Sequence, residues 1–281
     1  MVMAIGGSAV IIAILLIFIY LLYVVLPLFK DATVKPHDSI ELSLAPTELL
    51  GLDEYAETGF AVSPEGSYQF FKVSDGASMT RGELAPAGAG KVTAVAAGDP
   101  VSHVLVAGTS DGNVVVAQVN FEVRFDGQKR VITPKLNYPL GADVQRATAA
   151  DDAVRLITGQ SSDEEATVAA VSAKGRVVLL NAVKQTSMLD ESVTLEVTRK
   201  ELPLDGATVT HLALDIDQRE LFVASSDGML SYFNVRDKRN PVLIDRASVI
   251  DTAQRITAMS FLSGGISLVI GDDLGHLSQW F

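Results

Sequence analysis

The sequence contains no cysteine. Disulfides, cysteine-ligated zinc and thiol catalysis are therefore excluded, and the fold needs no particular redox compartment. Tryptophan is nearly absent as well, since Trp280 is the only one. The four histidines, His37, His103, His211 and His276, lie far apart, without the close spacing of metal-binding motifs. We therefore predict no metal site and no cofactor.

Charge is absent from the first 29 residues, and Lys30 and Asp31 are the first ionised side chains. A helix over residues 5–29 would be about 37 Å long, enough to cross a hydrocarbon core of about 30 Å with some tilt. A cleaved signal peptide is the alternative, but its apolar core is usually only about 7 to 15 residues and ends at an Ala-x-Ala-like site. We therefore predict an uncleaved transmembrane anchor helix over residues 1–30, with residues 5–29 in membrane lipid.

Every one of the 34 acidic and 22 basic residues follows this apolar segment, so the net charge of -12 belongs to the rest of the chain. A polyanion is a poor partner for nucleic acid or for anionic lipid headgroups. We therefore predict no nucleic-acid binding. No Lys or Arg precedes the span, so flanking charge does not orient it in the membrane.

The remaining chain divides by composition. Residues 31–58 contain Pro36 and Pro46 and show no sustained helical periodicity, which predicts a linker. From residue 59 onward, short runs of Val, Ile, Leu and Phe alternate with clusters of Gly, Asp, Ser and Asn. This alternation is typical of many short antiparallel strands, and it predicts an all-β domain over residues 59–281.

A repeat organises this domain. Each copy has two apolar runs, a turn ending in glycine and a third apolar run, and the clearest copies cover residues 92–119, 209–233 and 256–281. The last two begin 47 residues apart, at Val209 and Ile256, which is the length of one propeller blade. Weaker copies begin near Val144 and near Phe60, the latter with its turn at residues 74–76. About five blades are therefore predicted.

The turns between the second and third runs carry the chemistry of tight hairpins. Asp111-Gly112 and Asp227-Gly228 lie between apolar runs, and Gly supplies the positive φ that such turns require. A small sheet cannot bury both faces alone, so the sheets are expected to stack radially. The pattern resembles WD40 blades, although no copy has the full Gly-His and Trp-Asp pair. The predicted fold is an all-β, WD40-like β-propeller preceded by one transmembrane helix.

The apolar segment Tyr20-Leu21-Leu22-Tyr23-Val24-Val25-Leu26-Pro27-Leu28-Phe29, followed by an acidic WD40-like region, resembles one family arrangement. It is similar to the N-terminal part of the long bacterial form of the phosphate-specific ABC transporter permease, PstC type. The resemblance implies a single-pass segment in the bacterial inner (cytoplasmic) membrane, with the β domain in the periplasm. It also implies a binding or regulatory role without catalysis, and other transporter subunits or a periplasmic protein as partners.

The departures from that family are equally informative. No second hydrophobic span follows, and the sequence stops at Trp280-Phe281, in the third run of the last copy. We therefore expect a last blade that is cut short and a longer intact protein. Unpaired sheet edges are templates for pairing with another chain, so the segment Asp31 to Phe281 is expected to self-associate.

Two other functions compete with the permease interpretation. The first is a free-standing, membrane-anchored propeller scaffold for envelope protein assembly. The second is a propeller hydrolase, which would need two convergent carboxylates. Adjacent strand residues point to opposite faces, so paired acids in sequence are better explained by turns. The pairs are Asp151-Asp152, Asp215/Asp217 and Asp272-Asp273.

The remaining polar motifs are typical of structural loops. The run Asp163-Glu164-Glu165 is typical of a solvated loop, and no loop has the ligand pattern of an EF-hand. Gly88-Ala89-Gly90-Lys91 lacks the spacing of a phosphate-binding loop and is interpreted as a hinge between blades. We therefore predict no catalytic, cofactor-binding or metal-binding residues, and the sequence names no substrate-binding residue.

Overall fold

The computed structural model describes residues 2–29, 39, 42, 44, 46–141, 143–186, 193–204, 206–251, 254–262 and 264–280. Lys30, Asp31 and His37 lie outside these ranges. The chain separates into two compact units, residues 1–39 and residues 40–281.

The first unit contains one helix, α1 (Val2–Val25), which continues as a short 3-10 turn over Leu26–Phe29. The α-helical conformation ends where Pro27 disfavours it for the preceding residue. The described side chains from Ala9 to Phe29 are all exposed, and nearly all of them are apolar. Residues Ala9–Phe29 are long and apolar enough to cross a membrane. An N-terminal helix of this kind is either a membrane anchor or a signal sequence.

In the described residues of the second unit the strands form five antiparallel sheets, named here blades 1 to 5 in chain order. Blade 1 contains β1 (Leu49–Leu52), β2 (Thr58–Val62), β3 (Ser67–Lys72) and β4 (Ser78–Glu83). Blade 2 contains β5 (Val92–Ala97), β6 (Val104–Thr109), β7 (Asn113–Asp126) and β8 (Lys129–Asn137), and β9 (Gln145–Arg146) pairs with β7. Blade 3 contains β10 (Val154–Ser161), β11 (Glu165–Ser172), β12 (Val177–Thr186) and β13 (Val193–Leu202). Blade 4 contains β14 (Val209–Leu214), β15 (Glu220–Ser225), β16 (Met229–Asn234) and β17 (Val242–Ser248). Blade 5 contains β18 (Ile256–Phe261), β19 (Leu268–Asp272) and β20 (Leu277–Trp280).

The first strands of consecutive blades lie side by side. Strand β1 packs beside β5, β5 beside β10, β10 beside β14, and β14 beside β18. Four apolar clusters fill the spaces between neighbouring blades, one cluster for each pair. This is a β-propeller architecture, and the predictions of an all-β propeller and of about five blades are confirmed.

The turn between the second and third strands recurs in all five blades. In each blade the N–H of a glycine donates to the carbonyl of the residue three positions earlier. The glycines are Gly66, Gly112, Gly175, Gly228 and Gly275, and all five have positive φ. The prediction of positive φ at Gly112 and Gly228 is therefore confirmed.

Blade 1 corrects two predictions. Strand β1 lies inside the predicted linker of residues 31–58, because a four-residue run following Pro46 is too short to show alternation. The predicted turn at residues 74–76 joins the third strand to the fourth. The turn equivalent to those of the other blades is Ser63-Pro64-Glu65-Gly66, which was missed because it has no Asp-Gly pair.

Valine in place of Gly228 should test the blade register. Gly228 has a φ of 77°, and a β-carbon there would lie 2.8 Å from Cγ1 of Ile250. We expect Gly228→Val to lower the free energy of unfolding by roughly 1 kcal/mol or more, because the backbone is strained for any residue with a β-carbon. The control is Ser226→Ala in the same turn. Unfolding of Gly228→Val that matches the control in a denaturant titration would count against this register.

Candidate functional site

The turns between the first and second strands of the blades form one end of the propeller, named here the turn end. Two of these turns are closed by an aspartate that accepts backbone N–H groups. Asp53 accepts from Tyr55, Glu57 and Thr58 at 2.9, 2.7 and 2.6 Å. Hydrogen bonds within the chain therefore fix the conformation of this turn.

Asp215 closes the equivalent turn of blade 4. It accepts the N–H groups of Arg219 and Glu220, both at 2.6 Å. Burial raises the pKa of Asp215, while the two N–H groups lower it, and the net change is upward. The Asp215 carboxylate therefore hydrogen-bonds within its own turn.

A cavity of about 160 Å³, named here the turn-end cavity, opens where strand ends and turns of blades 2, 4 and 5 meet strand β10 of blade 3. Blades 2 to 5 contribute to its lining, in which apolar side chains stand beside polar groups. The lining residues are Ala97, Gly98, Asp99, Pro100, Thr158, Gln160, Leu212, Ala213, Leu214, Ile216, Met259, Ser260, Phe261 and Gly265.

Gln160 fixes the floor of the turn-end cavity. Its buried amide accepts the N–H of Asp99 at 3.0 Å and donates to the carbonyl of Leu214 at 3.2 Å. One side chain of blade 3 therefore connects blades 2 and 4. A β-carbon at Gly98 would lie 2.6 Å from Oε1 of Gln160, so a side chain at residue 98 would disrupt this floor.

The rim of the cavity carries exposed apolar side chains on turns, where polar residues are usual. Ile216, in the turn of blade 4, lines the cavity, and its Cγ2 is 3.8 Å from the position of a β-carbon at Gly265 in the turn of blade 5. Val101, Leu262 and Ile266 are also exposed, and they directly follow the lining residues Pro100, Phe261 and Gly265 in sequence.

The acidic pairs singled out in the sequence occupy separate structural positions. Asp151 pairs with Lys174, Asp217 with Arg219 and Asp273 with Arg255. Asp272 accepts the N–H groups of Leu274 and His276, both at 2.9 Å, in the turn of blade 5. Each acid thus has a local partner of its own.

The two remaining sequence motifs, residues 163–165 and residues 88–91, lie at a turn and in a connection between blades. Asp163 and Glu164 lie between β10 and β11, whereas Glu165 begins β11 and its carboxylate lies 3.5 Å from the ammonium of Lys238. Residues 88–91 lie between β4 and β5, so they connect blades 1 and 2 as predicted.

The described histidines are separate from one another. His103 packs edge-on against Phe60 and Phe121, with ring centroids 6.2 and 5.5 Å apart. Burial lowers the pKa of His211, against a hydrogen bond with the backbone of Thr257 that raises it. Nδ1 of His276 lies 2.9 Å from the Asp272 carboxylate. In the part of the chain that the structure describes, no three His, Asp or Glu residues gather as metal ligands would.

Asp152 should make stability depend on pH. The carboxylate of Asp152 is fully buried, and burial raises its pKa. Arg176 at 2.7 Å and the N–H of Lys174 at 3.1 Å lower the pKa, and the net change is downward. A lowered pKa means that ionised Asp152 stabilises the fold above its unfolded pKa, and that this contribution is lost as pH falls.

We therefore expect the melting temperature to fall between about pH 5 and pH 2, and to fall less in Asp152→Asn. The variant should also be less stable at pH 7. Thermal melts across this range measure both effects, and parallel pH profiles for the two proteins would contradict the assignment.

The turn-end cavity was missed by the sequence analysis. Its residues come from turns and strand ends spread from Ala97 to Gly265, and only the fold brings them together. A signal was present, since Ile216 puts an apolar side chain between Asp215 and Asp217, a pair that the sequence analysis assigns to a turn.

The fold is that of a β-propeller, with a cavity at its turn end to which four blades contribute. No family model matches the sequence, and no curated protein is similar to it. Among solved structures, the chain is similar to the β-propeller domain of Cps50 (Swd1) from Myceliophteria thermophila. The identity is 11%, the match covers 85% of this chain and 84% of that one, and the TM-score is 0.43.

Proposed function

We propose that this chain is a membrane-anchored protein-binding module, without catalysis of its own, whose turn-end cavity receives an apolar side chain of a protein partner. The observation that carries this proposal is the cavity, to which four blades contribute and in which the exposed Ile216 stands with Leu212 and Phe261. An apolar anchor residue in a pocket, surrounded by contacts that exclude water, is how binding energy concentrates in protein interfaces.

The polar groups near the cavity favour binding over chemistry. Gln160 accepts one N–H group and donates to one carbonyl in joining blades, and one oxygen of the Asp215 carboxylate accepts two N–H groups of its own turn. These hydrogen bonds give both side chains a structural role. The apolar side chains in the lining, among them Leu212, Ile216 and Phe261, support recognition of an apolar side chain.

We also propose that the module serves a phosphate-importing permease of the bacterial inner membrane and lies in the periplasm. The support is the resemblance of residues 20–29, followed by the acidic WD40-like region, to the long form of that permease. The partner would then be a periplasmic phosphate-binding protein or the periplasmic face of the transporter. The anchored scaffold for envelope assembly remains the competing function, and phosphate uptake distinguishes the two.

Ile216→Asp tests the binding site. A charge on the rim should weaken partner binding about tenfold or more, since an ionised group resists burial in an apolar contact. Val242→Asp is the control, because Val242 is equally exposed but lies on the outer strand β17. In phosphate-limited cells of the native host, Ile216→Asp should lower the uptake of radiolabelled phosphate at an unchanged protein level, and Val242→Asp should not.

A photo-crosslinking residue at position 216 separates the outcomes. Crosslinking to a transporter protein supports both proposals. Crosslinking to another envelope protein, with normal uptake, would support the scaffold and refute the permease role. No crosslink at position 216, together with normal uptake in Ile216→Asp, would refute the binding site.

A further inference from the structure

A pocket of about 280 Å³ with basic side chains lies between blades 2 and 3. Three arginines line it, namely Arg146 of β9, Arg176 in the turn between β11 and β12, and Arg199 of β13. Lys200 and Glu201 complete the charged lining in the part of the chain that the structure describes. This site, named here the arginine pocket, concentrates positive charge in a chain whose net charge is -12.

The arginine pocket lies away from the turn-end cavity. The turn end is formed by the turns between first and second strands, whereas Arg176 belongs to a turn between a second and a third strand. Consecutive strands of a blade run antiparallel, so these two kinds of turn lie at opposite ends of the propeller. The two sites therefore present separate surfaces.

The pairing of β12 with β13 directs Arg199 into the pocket. Arg199 is paired with Leu180, and Glu201 is paired with Val178. Paired residues of neighbouring strands share one face of a sheet, and Leu180 packs in the cluster between blades 2 and 3. The exposed Arg199 side chain therefore leaves β13 on the face that is turned to blade 2.

Hydrogen bonds hold the other two arginines in place. Nη2 of Arg176 donates to the buried carboxylate of Asp152 at 2.7 Å. Nη1 of Arg146 donates to the carbonyl of Asp111 at 3.0 Å. A guanidinium group has five N–H donors, so each arginine has further donors for a ligand. Holding them in advance reduces the entropy that is lost when a ligand binds.

The positive charge of the pocket is balanced only in part. Asp152 pairs with Arg176, and the Glu201 carboxylate lies 3.8 Å from the same guanidinium. Among the described residues, the side chains of Arg199 and Lys200 form no ion pair and no hydrogen bond. The lining therefore offers positive charge to an anion from outside the chain.

The chain itself shows which anion suits these groups. The anions beside Arg176 are carboxylates, those of Asp152 and Glu201. A guanidinium group matches a carboxylate with two parallel hydrogen bonds. Arg146 and Arg199 are exposed, so a carboxylate on another protein can reach them. Because the rest of the chain is acidic and repels such a segment, the pocket would also determine where it docks.

We propose that the arginine pocket binds acidic side chains of a protein partner. This second interaction surface selects for negative charge, whereas the turn-end cavity selects for an apolar side chain. The inference does not rest on the function proposed above, because it uses other residues at the other end of the propeller.

A fluorescein-labelled octaglutamate peptide is the probe. Its binding to the full chain in an uncharged detergent is measured by fluorescence anisotropy at about 0.1 M salt, where the screening length is about 10 Å. Arg199→Glu should raise the dissociation constant about tenfold or more, because it puts a like charge against the peptide. Arg199→Lys should bind with intermediate affinity, since it keeps the charge and loses the planar fork.

Arg236→Glu is the matched control. Arg236 is exposed in the turn between β16 and β17, and its replacement changes the net charge by the same amount. This variant should bind the peptide nearly as the wild type does, because its charge lies beyond the screening length from the pocket. Ile216→Asp should also bind the peptide normally, which separates this site from the turn-end cavity.

Three results would overturn the proposal. The first is a wild-type chain that does not bind the peptide, and the second is equal affinity of Arg199→Glu and Arg236→Glu. The third is displacement of the peptide by an equal concentration of inorganic phosphate, which would assign the pocket to a small oxyanion instead of an acidic protein segment.

Discussion

Replacing Phe233 with alanine is expected to lower the free energy of unfolding by about 3–5 kcal/mol. Phe233 is fully buried in β16 and belongs to the cluster that joins blades 3 and 4, together with Leu179 and Leu221. Truncation removes the buried ring and leaves a cavity between two sheets that cannot collapse without shifting a blade. Both the lost transfer energy and the cavity destabilise the fold.

Trp280 provides the readout for this variant. It is the only tryptophan and packs in the cluster between blades 4 and 5, so its fluorescence reports unfolding of the stack. Ile266→Ala is the control, because an exposed turn residue should change stability by no more than about 0.5 kcal/mol. A loss below about 1 kcal/mol for Phe233→Ala would mean that blades 3 and 4 do not pack as described.

Gly108→Val is expected to cost about 2–3 kcal/mol or more, because blades 2 and 3 meet there through reciprocal glycine contacts. A β-carbon at Gly108 would lie 2.3 Å from Cγ1 of Val154 and 2.6 Å from its Cβ. In the other direction, a β-carbon at Gly159 would lie 2.8 Å from Cγ1 of Val106. Each valine occupies the space that the opposing glycine leaves, so a side chain at residue 108 must push the two sheets apart.

A double-mutant cycle with Val154→Gly isolates this contact. Val154→Gly alone should destabilise the protein, because Val154 is buried between the blades. The double variant should be more stable than the two single losses predict, by about 1 kcal/mol or more, since the new valine fills the vacated space. Additive losses would show that residues 108 and 154 do not touch.

The repeated turns explain why much of the fold could be predicted. Asp-Gly pairs at Gly112 and Gly228 mark the same hairpin, and their spacing gives the blade length without tertiary information. Strand β1 was not predicted, because four residues are too few to show the alternation of a strand. The turn at Gly66 was not predicted, because Ser63-Pro64-Glu65 forms the same glycine N–H to carbonyl hydrogen bond with different residues.

The candidate site was harder to predict than the fold. Turn chemistry was the expected role of the acids, and Asp215 and Asp272 do close turns in the structure. The turn-end cavity depends on which turns become neighbours when four blades stack, and sequence order does not give that information. Apolar residues such as Ile216 in a turn were the available signal, but an isolated exposed isoleucine is ordinary on protein surfaces.

Membrane topology tests the central claim most directly, because the proposed function requires the propeller to lie outside the cytoplasm, tethered by α1. Alkaline phosphatase, which is active only outside the cytoplasm, should be active when fused after residue 281, and a reporter that works only in the cytoplasm should be silent there. The fusion should also remain with the membrane during alkaline extraction. An inactive phosphatase with an active cytoplasmic reporter, or release of the fusion as a processed soluble protein, would contradict a membrane-anchored propeller outside the cytoplasm.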